Sequence, residues 1–539
     1  MRNINTFKTN LPLKEGQLVV GLLILIVVLN LIGLYKKRLT YDEGAHYQYG
    51  LNILEGNSDR FDDSKMPFSA LNAVPRKIWD RIEHLPGSSF FSILKKMRTG
   101  RHMTIWFSVL LGFFIYRWAR ELYGPYAGIF SLGVYAFSPN ILAHSRLITN
   151  DLYLAGMVTI SLYCYWHFMK SKTFKNMFLS AFTLGLAQLA KYTAVYLYPL
   201  FALIALVSSG PALWSLFKER QFAELFRKCA AFFKYAAIFL VTSLLVINAG
   251  FLFNKSLKAI RDYNFESDFF KSIQLNVPNI PVPLPEPYVK GLDLLKFYDQ
   301  TGDSNLYSYL FGQLKKSEGF KGYYFYAFMF KEPLAVQIVI LISTLYYLAR
   351  RKEYSFFQNE VFLLVPVIFF SIYFNFFSNI QIGIRYFLVV FPLLYIFSAN
   401  MFKDWIQFPK AAQMSVFVLM SYMAISVLSY APHFLSYFNE FVWNRKNAYK
   451  ILADSNLDWG ENTWYLERYQ KKHPDVVISP QSPVAGRVIV GVNELLGINT
   501  DPRRYQWLRD HLEPAGHVAY SYLIFDVTNQ QLEQIRQSA

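Results

Sequence analysis

The chain is short of several things a large soluble enzyme needs. Its 539 residues include two cysteines, Cys164 and Cys229, so no disulfide framework can be drawn. Charged residues make up 17%, against about 25% in a typical soluble protein. Acids are scarcer than bases, 37 Asp and Glu against 54 Lys and Arg. No P-loop, dinucleotide fingerprint or zinc-ligand spacing is present, and no repeat or low-complexity tract emerges. These absences exclude a disulfide scaffold, a nucleotide-driven enzyme and a zinc module.

What is abundant is apolar and aromatic: 53% of residues are hydrophobic, with 50 Phe and 38 Tyr. That composition fits a polytopic membrane protein with aromatic belts. A span needs roughly 20 apolar residues. About eleven stretches approach that length, near 17–35, 102–119, 124–140, 151–169, 176–191, 193–209, 232–252, 333–349, 360–376, 385–400 and 412–430. The net charge of +17 does not indicate nucleic acid, because the bases gather in short loops between apolar runs. From Ala431 onward 11 bases meet 12 acids, leaving 43 against 25 in the remainder.

With the N-terminus in the cytoplasm, the inside loops are 117–123, 170–176, 212–234, 350–360 and 401–410. They hold 15 Lys and Arg, far more than their acids, and this bias fixes orientation. Lys36, Lys37 and Arg38 run against it, since they follow the first span on the outer side. The expected domains are a transmembrane part, 1–430, with outer loops at 35–101 and 254–331, and an extracytoplasmic C-terminal part, 431–539. In the latter, "GRVIVGV" and "HVAYSYLIFDV" read as strands beside helical stretches, giving a small α/β unit.

Candidate chemistry gathers at one predicted membrane face. Asp42 and Glu43 stand side by side just after the first span, with His46 following. Lys65 lies later in the same outer loop, Asp151 opens a span from that side, and Arg385 opens another. A lipid phosphate needs a cation to hold its charge as it departs, and an attacking hydroxyl needs a carboxylate to take its proton. Lys191 reads equally well as a snorkelling lysine, and Lys331 as an interfacial anchor. Asp454, Asn456 and Asp458 resemble part of a calcium loop, but its closing Glu is missing; a turn and helix cap is the structural alternative.

Several segments resemble the C-type-fold membrane glycosyltransferases, which take sugars from polyprenyl phosphates. "SRLITND", residues 145–151, is similar to a motif of the protein O-mannosyltransferases. "SKMPFSAL" resembles one of the lipid A aminoarabinose transferases, with Met66 for a proline and Ser64 for a glutamate; Ala45 stands where they carry arginine. "QLAKYTAVYLYPL", "FYAFMFKEPLAVQI", "IRYFLVVFPLL" and "APHFLSYFNE" with "LADSNLDWGEN" resemble recurrent segments of bacterial members. The resemblance implies an all-α polytopic fold of about eleven transmembrane helices plus the small α/β C-terminal unit. It implies an inverting transferase moving a monosaccharide from a polyprenyl-phosphate donor to an acceptor hydroxyl at the outer face of the bacterial cytoplasmic membrane, serving cell-envelope glycosylation. The acceptor is a glycan, lipid or protein hydroxyl. By this resemblance Asp42 is the base, Glu43 supports it and Asp151 is a second acid. Lys65 and Arg146 contact the donor phosphate or the acidic residues, and Arg385 the phosphate, while Asn439, Asp454, Asn456, Asp458 and Trp459 are candidates for the acceptor side. His46 is a further acceptor-side candidate by position, its alternative being a structural histidine on a helix face. No cofactor or metal is expected. The alternatives are a transporter or flippase for lipid-linked sugars, which would want ionisable groups mid-membrane, and a ligase using lipid diphosphates.

Overall fold

A computed structural model describes residues 15–57, 65–301 and 307–538; the Ser64 position lies outside them. The first half is helical: α1 (Glu15–Leu31), α2 (Glu43–Leu54), α3 (Ser69–Ile82), α4 (Arg101–Tyr123), α5 (Pro125–Ala136), α6 (Pro139–His144), α7 (Asp151–Lys170), α8 (Phe174–Gln188), α9 (Leu197–Lys218) and α10 (Phe222–Gly250). Then come α11 (Asp268–Asn276), α12 (Glu286–Thr301), a hairpin of β1 (Tyr307–Leu310) and β2 (Gln313–Lys316), α13 (Tyr323–Lys331), α14 (Leu334–Ala349), α15 (Val361–Ile372), α16 (Phe391–Ser398) and α17 (Lys410–Leu428).

Local chemistry sets many of these boundaries. Pro125 starts α5 at a position where its missing N–H costs nothing. The Ser138 hydroxyl accepts from the Ile141 N–H and begins α6 as a separate helix. Thr173 caps α8 in the same way. Pro333 separates α13 from α14, which are bent by 112° to one another. α7 is apolar almost all round and nearly every side chain in it is buried, as a central helix requires. α4, α8 and the turn at Ile384–Val390 pack around it.

Five helices among the described residues are long and apolar enough to cross a membrane: Glu15–Lys36, Tyr192–Lys218, Phe222–Gly250, Ile384–Gln407 and Lys410–Leu428. The bent pair α13–α14 makes up to six. About eleven spans were expected. The difference has two sources. The stretches at 102–119 and 151–169 are the unbroken helices α4 and α7, of 23 and 20 residues, which are long enough but are not among the five apolar enough. Others are broken: the stretch at 124–140 ends at Ala136, and its 12 residues cover about 18 Å at 1.5 Å each. The stretch at 360–376 likewise divides into α15 and a wider turn, Tyr373–Phe377.

The C-terminal residues carry α18 (Thr463–Lys472), β3 (Val477–Ile478), β4 (Gly486–Gly491), α19 (Val492–Leu495), α20 (Gln506–His511), β5 (Gly516–Val518), β6 (Tyr522–Val527) and α21 (Asn529–Ser538). The sheet order is β3-β4-β6-β5; β4 pairs antiparallel with β6, and β3 parallel with β4. The two strand-like runs of the sequence form β4 and the β5–β6 pair. One apolar cluster continues from Ile26 in α1 through Leu154 in α7 and Leu393 in α16 to Val488 and Phe525 in the sheet. The C-terminal elements are therefore packed into the core of the helical part.

Candidate active site

Asp42 stands at the residue before α2, where an aspartate ordinarily caps the helix. Its carboxylate makes no cap bond and turns instead to Arg385, whose Nη1 lies 2.9 Å from Oδ2. The same Nη1 is 4.0 Å from Asp151 Oδ2, and Lys191 Nζ donates to Asp151 Oδ1 at 2.6 Å. Two carboxylates and two cations from four distant parts of the chain thus share one cluster. The Arg385 guanidinium is flattened against the Trp459 ring, 4.0 Å away, and the Lys191 ammonium sits 3.9 Å over the Tyr386 ring.

A cavity of about 460 Å³ opens beside this cluster. Asp42, His46, Lys65, Asp151, Lys191 and Arg385 line it, and so do Asp454, Asp458 and Trp459 from the C-terminal segment. Leu294 and Leu295 of α12, with Ile380 and Ile382, give one flank an apolar surface. The C-terminal loop is fastened there by backbone contacts. The Ser455 hydroxyl donates to the Ile382 carbonyl at 2.6 Å, and the Ile384 N–H donates to Asn456 Oδ1 at 2.9 Å. Gly383 permits the approach: its φ is +92°, and a Cβ there would stand 2.3 Å from Ser455 Oγ.

His46 is buried in the cavity wall with Nδ1 3.3 Å from the Ser69 hydroxyl. Burial, reinforced by Lys65, lowers its pKa to about 4, so the ring is neutral near pH 7. Burial and the neighbouring Glu461 carboxylate push Asp458 up to about 7. Burial also raises the pKa of Asp454.

Four residues expected in the site lie elsewhere. Glu43 points away from the cavity into a fully buried pair with Arg101, at 2.7 and 2.6 Å. It also accepts the N–H groups of Thr40 and Ile148, so it ties α2 to the loop before α7. Arg146 donates to the Ile32 and Pro432 carbonyls and stacks over Phe434; it lines a different, very small pocket, because its length carries it behind the cavity wall. Asn439 closes the α13–α14 bend by donating to the Met329 and Glu332 carbonyls at 2.6 and 2.7 Å. Asn456 is buried as a brace, donating to the Tyr323 hydroxyl and the Ala453 carbonyl.

Lys191 is the member that sequence reasoning left undecided. A signal existed: it is the one charged residue between Lys175 and Lys218, and an isolated ionisable group in so apolar a run is expected to face a cavity. Tyr298 and Asn499 also line the site and carried no comparable signal. Among the described residues, no group of three or more His, Cys, Asp or Glu is placed to hold a metal ion.

Comparison with known proteins bears on part of this site. Residues 89–226 match the family model of the dolichyl-phosphate-mannose-protein mannosyltransferases. They include "SRLITND" and "QLAKYTAVYLYPL", two of the segments that carry the resemblance to the polyprenyl-phosphate-dependent glycosyltransferases. The matched stretch contains Asp151 and Lys191 but not Asp42, Lys65, Arg385 or the 454–459 loop. No curated protein matches the chain. Among solved structures, ArnT from Cupriavidus metallidurans bound to undecaprenyl phosphate is similar at 12% identity over 95% of this chain and 98% of that one, with a TM-score of 0.46. The Archaeoglobus fulgidus oligosaccharyltransferase is similar at 13% identity over 85% of this chain and 58% of that one, with a TM-score of 0.44. Both scores fall below 0.5, and neither likeness bears on function.

Proposed function

We propose that this chain is a membrane glycosyltransferase that moves a sugar from a polyprenyl-phosphate donor to an acceptor hydroxyl on the outer side of the bacterial cytoplasmic membrane. The observation that carries the reading is the shared cavity, in which Asp42, Asp151, Lys65, Lys191 and Arg385 meet beside an apolar flank. Such a flank suits the first prenyl units of a lipid, while the cations suit the phosphate that joins lipid to sugar. In the reaction the acceptor oxygen attacks the anomeric carbon as the bond from that carbon to the phosphate oxygen breaks. The bonding electrons leave with the phosphate, the hydroxyl proton passes to Asp42, and in-line displacement inverts the centre. Arg385 and Lys191 stabilise the charge gathering on the phosphate. Asp151 holds Lys191 in place. The 454–459 loop forms the acceptor side.

Incubating the full-length protein, in lipid nanodiscs, with a panel of polyprenyl-phosphate hexoses and pooled acceptors tests this. Release of polyprenyl phosphate with appearance of glycosylated acceptor is expected. Intact donor across the whole panel would overturn the reading.

A further inference from the structure

The ionic pairing within the cavity is uneven. Asp42 is matched by Arg385 and Asp151 by Lys191. Asp454 and Asp458 are different: no Lys or Arg among the described residues lies within ion-pair contact of either. The Asp454 carboxylate accepts the Ser455 N–H, and Asp458 accepts the Gly460 N–H at 3.1 Å. Both face the same cavity, and the loop bearing them is fixed by Asn493, which accepts the Asp454 N–H and donates to the Asp458 carbonyl.

Other residues of the cavity lining differ from this pair. Asn150 is 3% exposed and spends its Oδ1 on the Ser69 hydroxyl, which leaves its Nδ2 without a partner. Thr193 is 4% exposed and its hydroxyl is likewise unpartnered. Both residues border the cavity, but these two atoms are shut off from it. The cations that line the cavity are Lys65, Lys191 and Arg385. Lys191 and Arg385 are engaged with Asp151 and Asp42, which leaves Asp454 and Asp458 as its carboxylates without a cation in contact.

We propose that the acceptor is a neutral, hydroxyl-rich compound, a glycan without phosphate or carboxylate near its reacting end, seated against Asp454 and Asp458 while the donor phosphate lies against Lys65, Lys191 and Arg385. Sugar hydroxyls are donors that an aspartate pair can receive, whereas an anionic group there would meet like charge. Tyr41, mostly exposed at the cavity mouth with its ring against Gly460, adds an aromatic face for a sugar ring.

This inference rests on the glycosyltransferase reading, and one experiment separates the two. The nanodisc protein and donor panel are supplied with neutral oligosaccharides, or with the same oligosaccharides phosphorylated beside the accepting hydroxyl. Neutral acceptors are expected to be glycosylated at least about tenfold faster. In the Asp454→Asn/Asp458→Asn double variant that ratio should fall to within about threefold. Equal use of both acceptors by the unaltered protein overturns the acceptor assignment alone. Absence of any donor turnover overturns the underlying reading and this one with it. Should the double variant fail to fold, the ratio for the unaltered protein decides.

Discussion

Arg385 engages Oδ2 of Asp42 at 2.9 Å, so in the proposed reaction Oδ1 is the oxygen that takes the proton of the alcohol while the guanidinium keeps the carboxylate oriented. Asp42→Asn should lower transfer by about 10²- to 10⁴-fold, the span of a lost general base, with the protein still eluting as a folded species; near-normal turnover would remove Asp42 from that role. Acidity adds a second expectation. Asp458 is raised to about 7 by burial and by Glu461, against the opposing pull of the Gly460 N–H, the Ser521 hydroxyl and Lys37; Tyr41 and Tyr522 also face it, and burial first and then its charge raise both. A carboxyl with a raised pKa is neutral below that value, so discrimination against sulfated acceptors, whose charge is constant where that of a phosphate monoester (second pKa about 6) is not, should weaken from pH 8 to pH 5.5. A ratio independent of pH across that range would contradict the charge-based account. Residue identities foreshadowed much of this cluster: Asp42, Lys65, Asp151 and Arg385 each interrupt or adjoin apolar sequence, where charge must find a cavity. Glu43 and Arg146 did so too, yet each satisfies its charge on groups behind the wall. Which way a side chain turns depends on partners far along the chain, 58 residues away for Glu43 and Arg101 and 286 for Arg146 and Pro432, and no local pattern encodes it.

At the scale of elements, the site depends on how closely α2 and α3 approach. Gly50 of α2 rests on the start of α3; a Cβ there would lie 2.2 Å from the Ser69 carbonyl oxygen, a backbone atom that cannot swing aside. Gly50→Ala should cost about 1–3 kcal/mol as overpacking. It should also weaken activity by moving His46 and Asp42 relative to Lys65. Full activity with unchanged thermal stability would show that the helices can part harmlessly. The Glu43–Arg101 pair anchors the other end of this arrangement. Removing one partner of a buried pair leaves an uncompensated charge, so Glu43→Ala should destabilise by about 3–5 kcal/mol, read as an earlier thermal unfolding in detergent. An unaltered midpoint would return Glu43 to consideration as a group of the cavity. Helices were easier to foresee than their lengths. Apolar runs announced where chain would enter lipid, but the Ser138 cap and the turn at Tyr373–Phe377 divide runs that look continuous in hydropathy.

At the scale of the whole molecule, the basic tripeptide after the first span finds its explanation. Lys36, Lys37 and Arg38 run against the charge bias of the loops, but they are not free surface charge. Lys37 is buried, bonded to Asn462 and 3.6 Å from Glu461. Arg38 pairs with Glu467 at 2.8 Å, and Lys36 sits over the Trp464 ring. Acids of the C-terminal segment thus neutralise bases of the first loop, and the two must lie on the same side of the membrane to touch. The proposed orientation then rests on the five basic loops alone, and under it the first loop, the C-terminal elements and the cavity between them would all lie outside. An epitope inserted in the exposed turn at Leu85–Gly87 and a reporter fused after Ala539 should both be detected outside intact cells. Both signals inside would invert the chain and place the cavity in the cytoplasm, against an exterior transferase. Signals on opposite sides would contradict the Arg38–Glu467 contact, and with it the wall that the C-terminal loop contributes to the site.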